Sequence, residues 1–488
     1  MKIFQNHSNI EFLRQGQGLA SLPAHHGKRF LIKRVGRDQT QSQRGGLFLL
    51  VLLLTFLVAT PLTAQTVIEQ PPLAPPSPSK SLDPSEDILI DGIGFAKLIM
   101  ELAPTEKVEE NTLQGHLQTM LEKNLCWSGV FNLVKGQSRF CGASPKTERV
   151  DMRLVLQPEA KQLIIRLVDS GPEKLLLFEE TLPLDQKTPE ASIMALVNRL
   201  TERVTGQAGV LGTAIAFVLR QPGYAKVIVA TDTHATSIRP VSYNRGINLL
   251  PKWAPDGTGM IYTILQSAGT QVFFHNFGKN GSTVGRSRLL TPNGTLNTGG
   301  SFSPDGQNLV VTMSVDQSAD LYSISLKNNK ATRLTFRSGI ETQADWSPDG
   351  KKIVFVSDRS GTPQVYLLDM ETGEDLRLTF DGVYNADPKW SPDGKSILFT
   401  KRVERRDQIH IMDQFGENVR QVTRGRFDAE QAVWAPDGRQ ISFTSNRTGV
   451  YKIYLVSTDG TGLRRLTSTG KRFEESSPSW SRSKLDNR

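Results

Sequence analysis

The sequence predicts a two-part molecule, a small two-layer α/β domain followed by an all-β propeller of six blades. Three observations carry that prediction. The element Trp/Phe-Ser/Ala-Pro-Asp-Gly recurs at Trp253–Gly257, Phe302–Gly306, Trp346–Gly350, Trp390–Gly394 and Trp434–Gly438, at spacings of 49, 44, 44 and 44 residues. A second marker, Leu-Thr or Val-Thr, recurs at 290–291, 334–335, 378–379, 422–423 and 466–467, always 44 apart, with Val241-Ser242 one repeat earlier. Each period also has room for four short strands separated by turn residues, and a repeat of about 40–50 residues with four strands is the mark of a propeller.

The chain starts with a basic leader. Residues 1–64 hold eight Lys/Arg and two acids, leaving 50 basic and 47 acidic residues afterwards, so most of the formal charge of +9 is an N-terminal property. Nucleic-acid binding needs a concentrated basic face and is not expected. Leu47–Ala59 is apolar except for Thr55, and Pro61 and Ala64 follow. A positive flank, a short apolar run and a small residue make a signal peptide, with cleavage between Ala64 and Gln65 and a periplasmic destination. The alternative is an uncleaved membrane anchor. Residues 65–86 are Pro-rich and read as a semi-rigid spacer.

From 87 to 208 the pattern is that of the small domain. Ile88–Ile90 is a strand candidate. Leu113, Leu117, Met120, Leu121 and Leu125 share one helical face. Strand-like runs follow at 153–156, 162–168 and 175–181. A second helix opens at Thr188-Pro189 and stops at Gly206, with Ile193, Leu196, Val197, Leu200 and Val204 as its apolar stripe. The only cysteines, Cys126 and Cys141, form an even pair in an exported segment, which favours a disulfide; two buried free thiols are the alternative.

The propeller is expected over 209–488. Pro-Asp-Gly suits a tight turn, with Pro fixing φ and Gly accepting a positive one. The repeated tryptophans read as core between blades, and the turn aspartates as turn stabilisers. A strand near Ala214–Leu219 and the truncated copy Pro478-Ser479-Trp480-Ser481 lie at opposite ends of the repeats and are expected to share one composite blade.

The sequence contains no G-x-S-x-G, H-E-x-x-H or G-x-x-x-x-G-K-[ST], and His116, His234, His275 and His410 fall at scattered repeat phases. No catalytic residue, metal site or cofactor is therefore expected. His410 occupies the place of Tyr322, Tyr366 and Tyr454 in sister repeats and reads as a packing substitute. A partner is expected on the face carrying the loops between outer and next inner strand, and between second and third strands. Its candidate contacts are Arg337, Glu341, Asp358, Arg359, Asp381, Tyr384, Arg426, Asp428, Arg472 and Glu474, a mixture of aromatic, basic and acidic groups suited to a protein.

The ordered Trp-Ser/Ala-Pro-Asp-Gly series, the Ser357-Asp358-Arg359-Ser360-Gly361 loop, Tyr366-x-x-Asp369 and the terminal Pro478-Ser479-Trp480-Ser481 together resemble the TolB family of the Tol–Pal system. The resemblance covers about residues 87–488. It implies a non-enzymatic periplasmic adaptor, monomeric within a complex and peripheral to the envelope membranes. Such an adaptor binds a Pal-like peptidoglycan-associated lipoprotein, couples to TolA and supports outer-membrane integrity during cell division. The Pro-rich stretch departs from the family pattern, so residues 65–86 are not equated with a TolA-binding segment. A propeller enzyme or accessory of peptidase or lactonase type, or a general periplasmic ligand-binding module, is the competing reading.

Overall fold

The computed structural model describes residues 97–484, apart from 105–111, 135–139, 142–149, 160, 173, 184–188, 222, 224–225, 243, 245, 268, 278–284, 292–295 and 316–317. The expectations for 1–64, 65–86, Ile88–Ile90 and Thr188 lie outside the described residues.

The small domain is built from β1 (Leu98–Pro104), α1 (Leu113–Trp127), β2 (Phe131–Leu133), β3 (Met152–Glu159), β4 (Gln162–Asp169), β5 (Leu176–Pro183) and α2 (Pro189–Thr205). Its sheet runs β2-β1-β3-β4-β5, with β1 parallel to both neighbours and the rest antiparallel. Both helices supply an apolar stripe, Leu117, Leu121 and Leu125 from α1 and Ile193, Leu196, Val197 and Leu200 from α2. These side chains share one core with Leu154, Ile165 and Leu167 of the sheet. Leu113 does not join them. Thr112 accepts from the Gly115 N–H as N-cap, which puts Leu113 in the first turn, where it is 52% exposed. β1 is the first strand of the described residues.

Six four-stranded sheets follow. The first is composite, in the order β29 (Glu474–Lys484), β6 (Thr213–Arg220), β7 (Val227–Asp232), β8 (Arg239–Pro240), and it joins the two ends of the repeats as expected. We number it blade 1; blades 2 to 6 span 247–289, 297–333, 341–377, 385–421 and 429–465.

Both sequence markers have local physical causes. In the Ser copies of the turn, the Ser347 hydroxyl donates to Asp349 Oδ1 at 2.6 Å and accepts from the Lys352 N–H at 2.9 Å, and Ser391 repeats this with Asp393 and Ser396. The turn aspartates thus hold the turn itself, with Gly350 and Gly394 both at φ 73°. The marker threonine accepts a third-strand N–H that the short outer strand leaves unpaired: Val272 to Thr291, Leu321 to Thr335, Val365 to Thr379 and Ile409 to Thr423, all at 2.9–3.0 Å. Ser242 serves Ile228 in the same way at 2.8 Å.

Tryptophans tie neighbouring blades. Trp253 Nε1 donates to the Ser479 carbonyl at 3.1 Å and Trp434 Nε1 to the Lys389 carbonyl at 3.0 Å. His410 stacks near Phe399 at 5.7 Å between ring centroids, as Tyr366 does on Phe355 and Tyr454 on Phe443 at 5.8 and 5.9 Å. Each innermost strand carries a bulge whose central residue has positive φ: Leu250, Gly299, Gln343, Asp387, Gln431 and Ser477. The N–H freed at Asp387 is taken by Gln343 Oε1 at 3.0 Å, and that at Ser477 by Gln431 Oε1 at 2.8 Å, so some bulges also link blades.

Candidate interaction face

Alternation of antiparallel strands sends the Pro-Asp-Gly turns and the third-to-fourth-strand turns to one end of the ring, and the remaining loops to the other. The first end is occupied by the small domain. Trp127, at the close of α1, receives the Arg464 guanidinium at 3.9 Å and Lys123 Nζ at 4.4 Å from its ring centre, and lies 5.1 Å from the His234 ring. Its carbonyl accepts from Gln440 Nε2 at 2.7 Å. Asn124 Oδ1 lies 2.8 Å from His234 Nε2, and Lys97 Nζ donates to Thr461 Oγ1 at 2.6 Å. Cys126 and Cys141 form a disulfide that fixes the same turn of α1.

Burial dominates the electrostatics of this joint. It pushes His234 down to about 3, with the cations Arg464 and Lys123 adding to the effect, and pushes Arg464 down to about 9. A cavity of about 550 Å³ remains between the 207–210 linker and the turns of blades 5 and 6, lined in part by Pro392, Arg420, Trp434 and Pro436.

At the loop end the ten sequence-predicted contacts divide. Glu341 and Tyr384 are a correction: both are buried, Glu341 at 0% exposure, and neither is available to a partner. The Glu341 carboxyl lies 3.6 Å from Arg359 and burial pushes it up to about 7. Tyr384 is covered by the Arg402 guanidinium at 4.2 Å, and burial raises its hydroxyl. Asp358 accepts from the Ile340 N–H at 2.7 Å and so holds the preceding loop. Arg359 makes two bonds to Asp375, at 2.6 and 3.0 Å, and stacks on Tyr366 at 3.9 Å. Asp428 is held by Arg406 at 3.1 Å and Asn446 Nδ2 at 2.8 Å, and Glu474 by Arg220 at 2.7 Å. Asp381 is exposed and paired to Lys401; Arg337 is exposed and reaches Asp375 at 3.2 Å. Arg426 and Arg472 are exposed.

Sequence reasoning passed over the apolar part of this face. Phe336 is 71% exposed and Phe380 74%, with Val383 exposed beside Phe380 in the chain. Each ring stands against the arginine three residues earlier in the chain, Arg333 at 4.9 Å and Arg377 at 5.0 Å. Those guanidinium groups are in turn fixed to the Thr335 and Thr379 carbonyls at 2.8 and 2.6 Å. The signal was the repeated Arg-Leu-Thr-Phe at 333–336 and 377–380.

Acidic groups gather near the inner ends of blades 5 and 6. Glu430 is pushed up to about 8 by burial, reinforced by Asp387, Asp407 and Asp428. Among the described residues, no group of three or more His, Cys, Asp or Glu is arranged to hold a metal ion. No helix there is long and apolar enough to cross a membrane.

A family model described as the TolB beta propeller domain matches residues 201–484. Over 176 residues the chain is 30% identical to the Tol-Pal system protein TolB of Desulfosudis oleivorans, covering 36% of this chain and 38% of that protein. Over 156 residues it is 32% identical to the Tol-Pal system protein TolB of Anaeromyxobacter dehalogenans, covering 31% and 34%. The chain thus aligns with 34–38% of the length of these two curated relatives. The crystal structure of TolB from Acinetobacter baumannii matches with a TM-score of 0.63 at 24% identity, covering 80% of this chain and 97% of that one, a likeness of fold.

Proposed function

The chain belongs to the TolB β-propeller family, and from that premise we propose that it is a non-enzymatic adaptor of the Tol–Pal system, working in the periplasm. In this reading 1–64 is an export signal, 65–86 a spacer, 87–208 the small domain and 209–488 the propeller. The propeller's loop end binds a peptidoglycan-associated lipoprotein, and a segment on the small-domain side couples to TolA, so that the envelope layers stay joined during division.

The observation that carries the proposal is the asymmetry of the ring. One end is engaged by the small domain through Trp127, Gln440, Lys97 and Arg464. The other presents Phe336, Phe380 and Arg426 to solvent. Large exposed apolar side chains beside polar groups are the composition of a protein-binding surface. The test is affinity capture by the mature protein from its own envelope extract. Recovery of a peptidoglycan-binding lipoprotein supports the reading; its absence while another partner is retained overturns it.

A further inference from the structure

Charge at the loop end sorts by depth. The acids there are mostly turned inward or held: Glu341 is buried, Asp358 caps a loop, and Asp428 and Glu474 are paired. In the described loops of blades 3 to 6, the exposed acids are Asp381 and Glu404, and Lys401 holds Asp381. By contrast Arg405, Arg424, Arg426, Lys471 and Arg472 are exposed and enter no ion pair among the described residues. The balanced mixture of charges expected from sequence is therefore basic where it meets solvent.

These cations adjoin the exposed rings by the logic of the repeat. Phe336, Phe380 and Arg424 each follow a marker threonine at 44-residue intervals, so they occupy the same place at three successive blade junctions. Apolar anchors and unpaired cations thus lie along one arc of the ring. Exposed cations attract an oppositely charged surface over about a Debye length, near 8–10 Å at physiological salt, and steer its approach. Burial of the two phenyl rings requires apolar groups on the other side.

We propose, resting on the adaptor reading, that the partner docks through an acidic protein surface carrying apolar side chains, with the carboxylates meeting Arg424, Arg426 and their neighbours and the apolar groups covering Phe336 and Phe380. A polyanion without apolar groups meets the cations and leaves both rings in water. The arc is a two-part recognition surface, and both parts contribute to one binding event.

The test is calorimetric titration of the mature full chain with the soluble domain of its own peptidoglycan-associated lipoprotein, at about 50 and about 300 mM salt. Wild type, Arg424→Glu/Arg426→Glu and Phe380→Ala are compared, each first checked for an unchanged melt. The expected result is affinity that falls about tenfold with salt, and about tenfold or more in each variant. Lipoprotein binding that ignores salt and the charge reversal overturns the inference and leaves the adaptor reading standing. If the lipoprotein does not bind at all, the adaptor reading falls and a Glu/Leu-rich peptide decides the inference. Peptide binding lost in both variants supports it; no binding, or heparin binding equally well with or without Phe380, overturns it.

Discussion

The two ends of the propeller use the same residue types in opposite ways. At the joint, Arg464 and Lys97 are taken out of water and matched to an indole face, a backbone carbonyl and a hydroxyl. Burial lowers the pKa of both. At the loop end, Arg424, Arg426 and Arg472 stay hydrated. A desolvated cation has value only in one geometry, because its contacts must replace the water it lost. A hydrated cation acts at a distance and tolerates many geometries. In the adaptor reading, one end of the ring stays in place and the other meets a partner.

That contrast can be broken at the joint first. Trp127→Ala removes the ring on which Arg464 and Lys123 rest, and should cost about 3 kcal/mol. It should also split calorimetric unfolding into separate small-domain and propeller transitions. A single unchanged transition would show that the joint does not couple the two parts. Replacing both Cys126 and Cys141 by Ser opens a loop with a sequence separation of 15 residues and should cost roughly 3 kcal/mol on the chain-entropy account. The loss should appear in the small-domain transition, and adding reductant to wild type should reproduce it.

The joint should also respond to acid. An unfolded imidazole titrates near 6.5, whereas His234 in the fold is held down to about 3. Between those values the unfolded chain binds the additional proton, so stability from this group is full above about pH 6.5 and is lost as pH falls toward 3. The slope is about 1.4 kcal/mol per pH unit, or about 2 kcal/mol by pH 5. Glu430 and Asp437, with raised pKa values, act in the opposite direction. The measurement is therefore the difference in urea midpoint between wild type and His234→Gln, which keeps a hydrogen-bonding group for Asn124 but does not titrate. Wild type should lose its advantage as pH falls, and a pH-independent difference would refute the assignment. At the loop end, Arg426→Ala or Arg472→Ala should change stability by no more than about 0.5 kcal/mol. A larger loss would mean that these cations are structural after all, and the contrast between the ends would dissolve.

The ring was legible because its markers act locally. Thr379 reaches Val365, Ser347 reaches Asp349 and Lys352, and such pairings recur wherever the residues do. Loop exposure was less legible, since chain topology says which end a residue occupies and not which way it faces. Glu341 shows where information went unused. It aligns by repeat with Asn297, Asn385, Ala429 and Glu475, all at 0% exposure, so a position-by-position comparison of repeats would have moved it inside. Leu113 misled for another reason: periodicity places it on the apolar face, but the helix has only just begun there. The joint lay beyond any periodic signal. Gln440 and Trp127 are 313 residues apart, and nothing in the neighbourhood of either names the other.

The composite blade also sets how the molecule carries load. The chain leaves the small domain, crosses 206–212 and enters the ring directly as β6, which lies between β29 and β7. Its ladder with β29 runs from Thr213 opposite Lys484 to Arg220 opposite Glu474. Tension that passes the Trp127 joint and reaches the ring through 206–212 therefore acts on the N-terminal end of β6. A pull in line with the strand would load the hydrogen bonds on both flanks together in shear, where peeling from an edge would break them one after another. The seam that completes the circle is thus also the place where a pull from one side is spread into the ring.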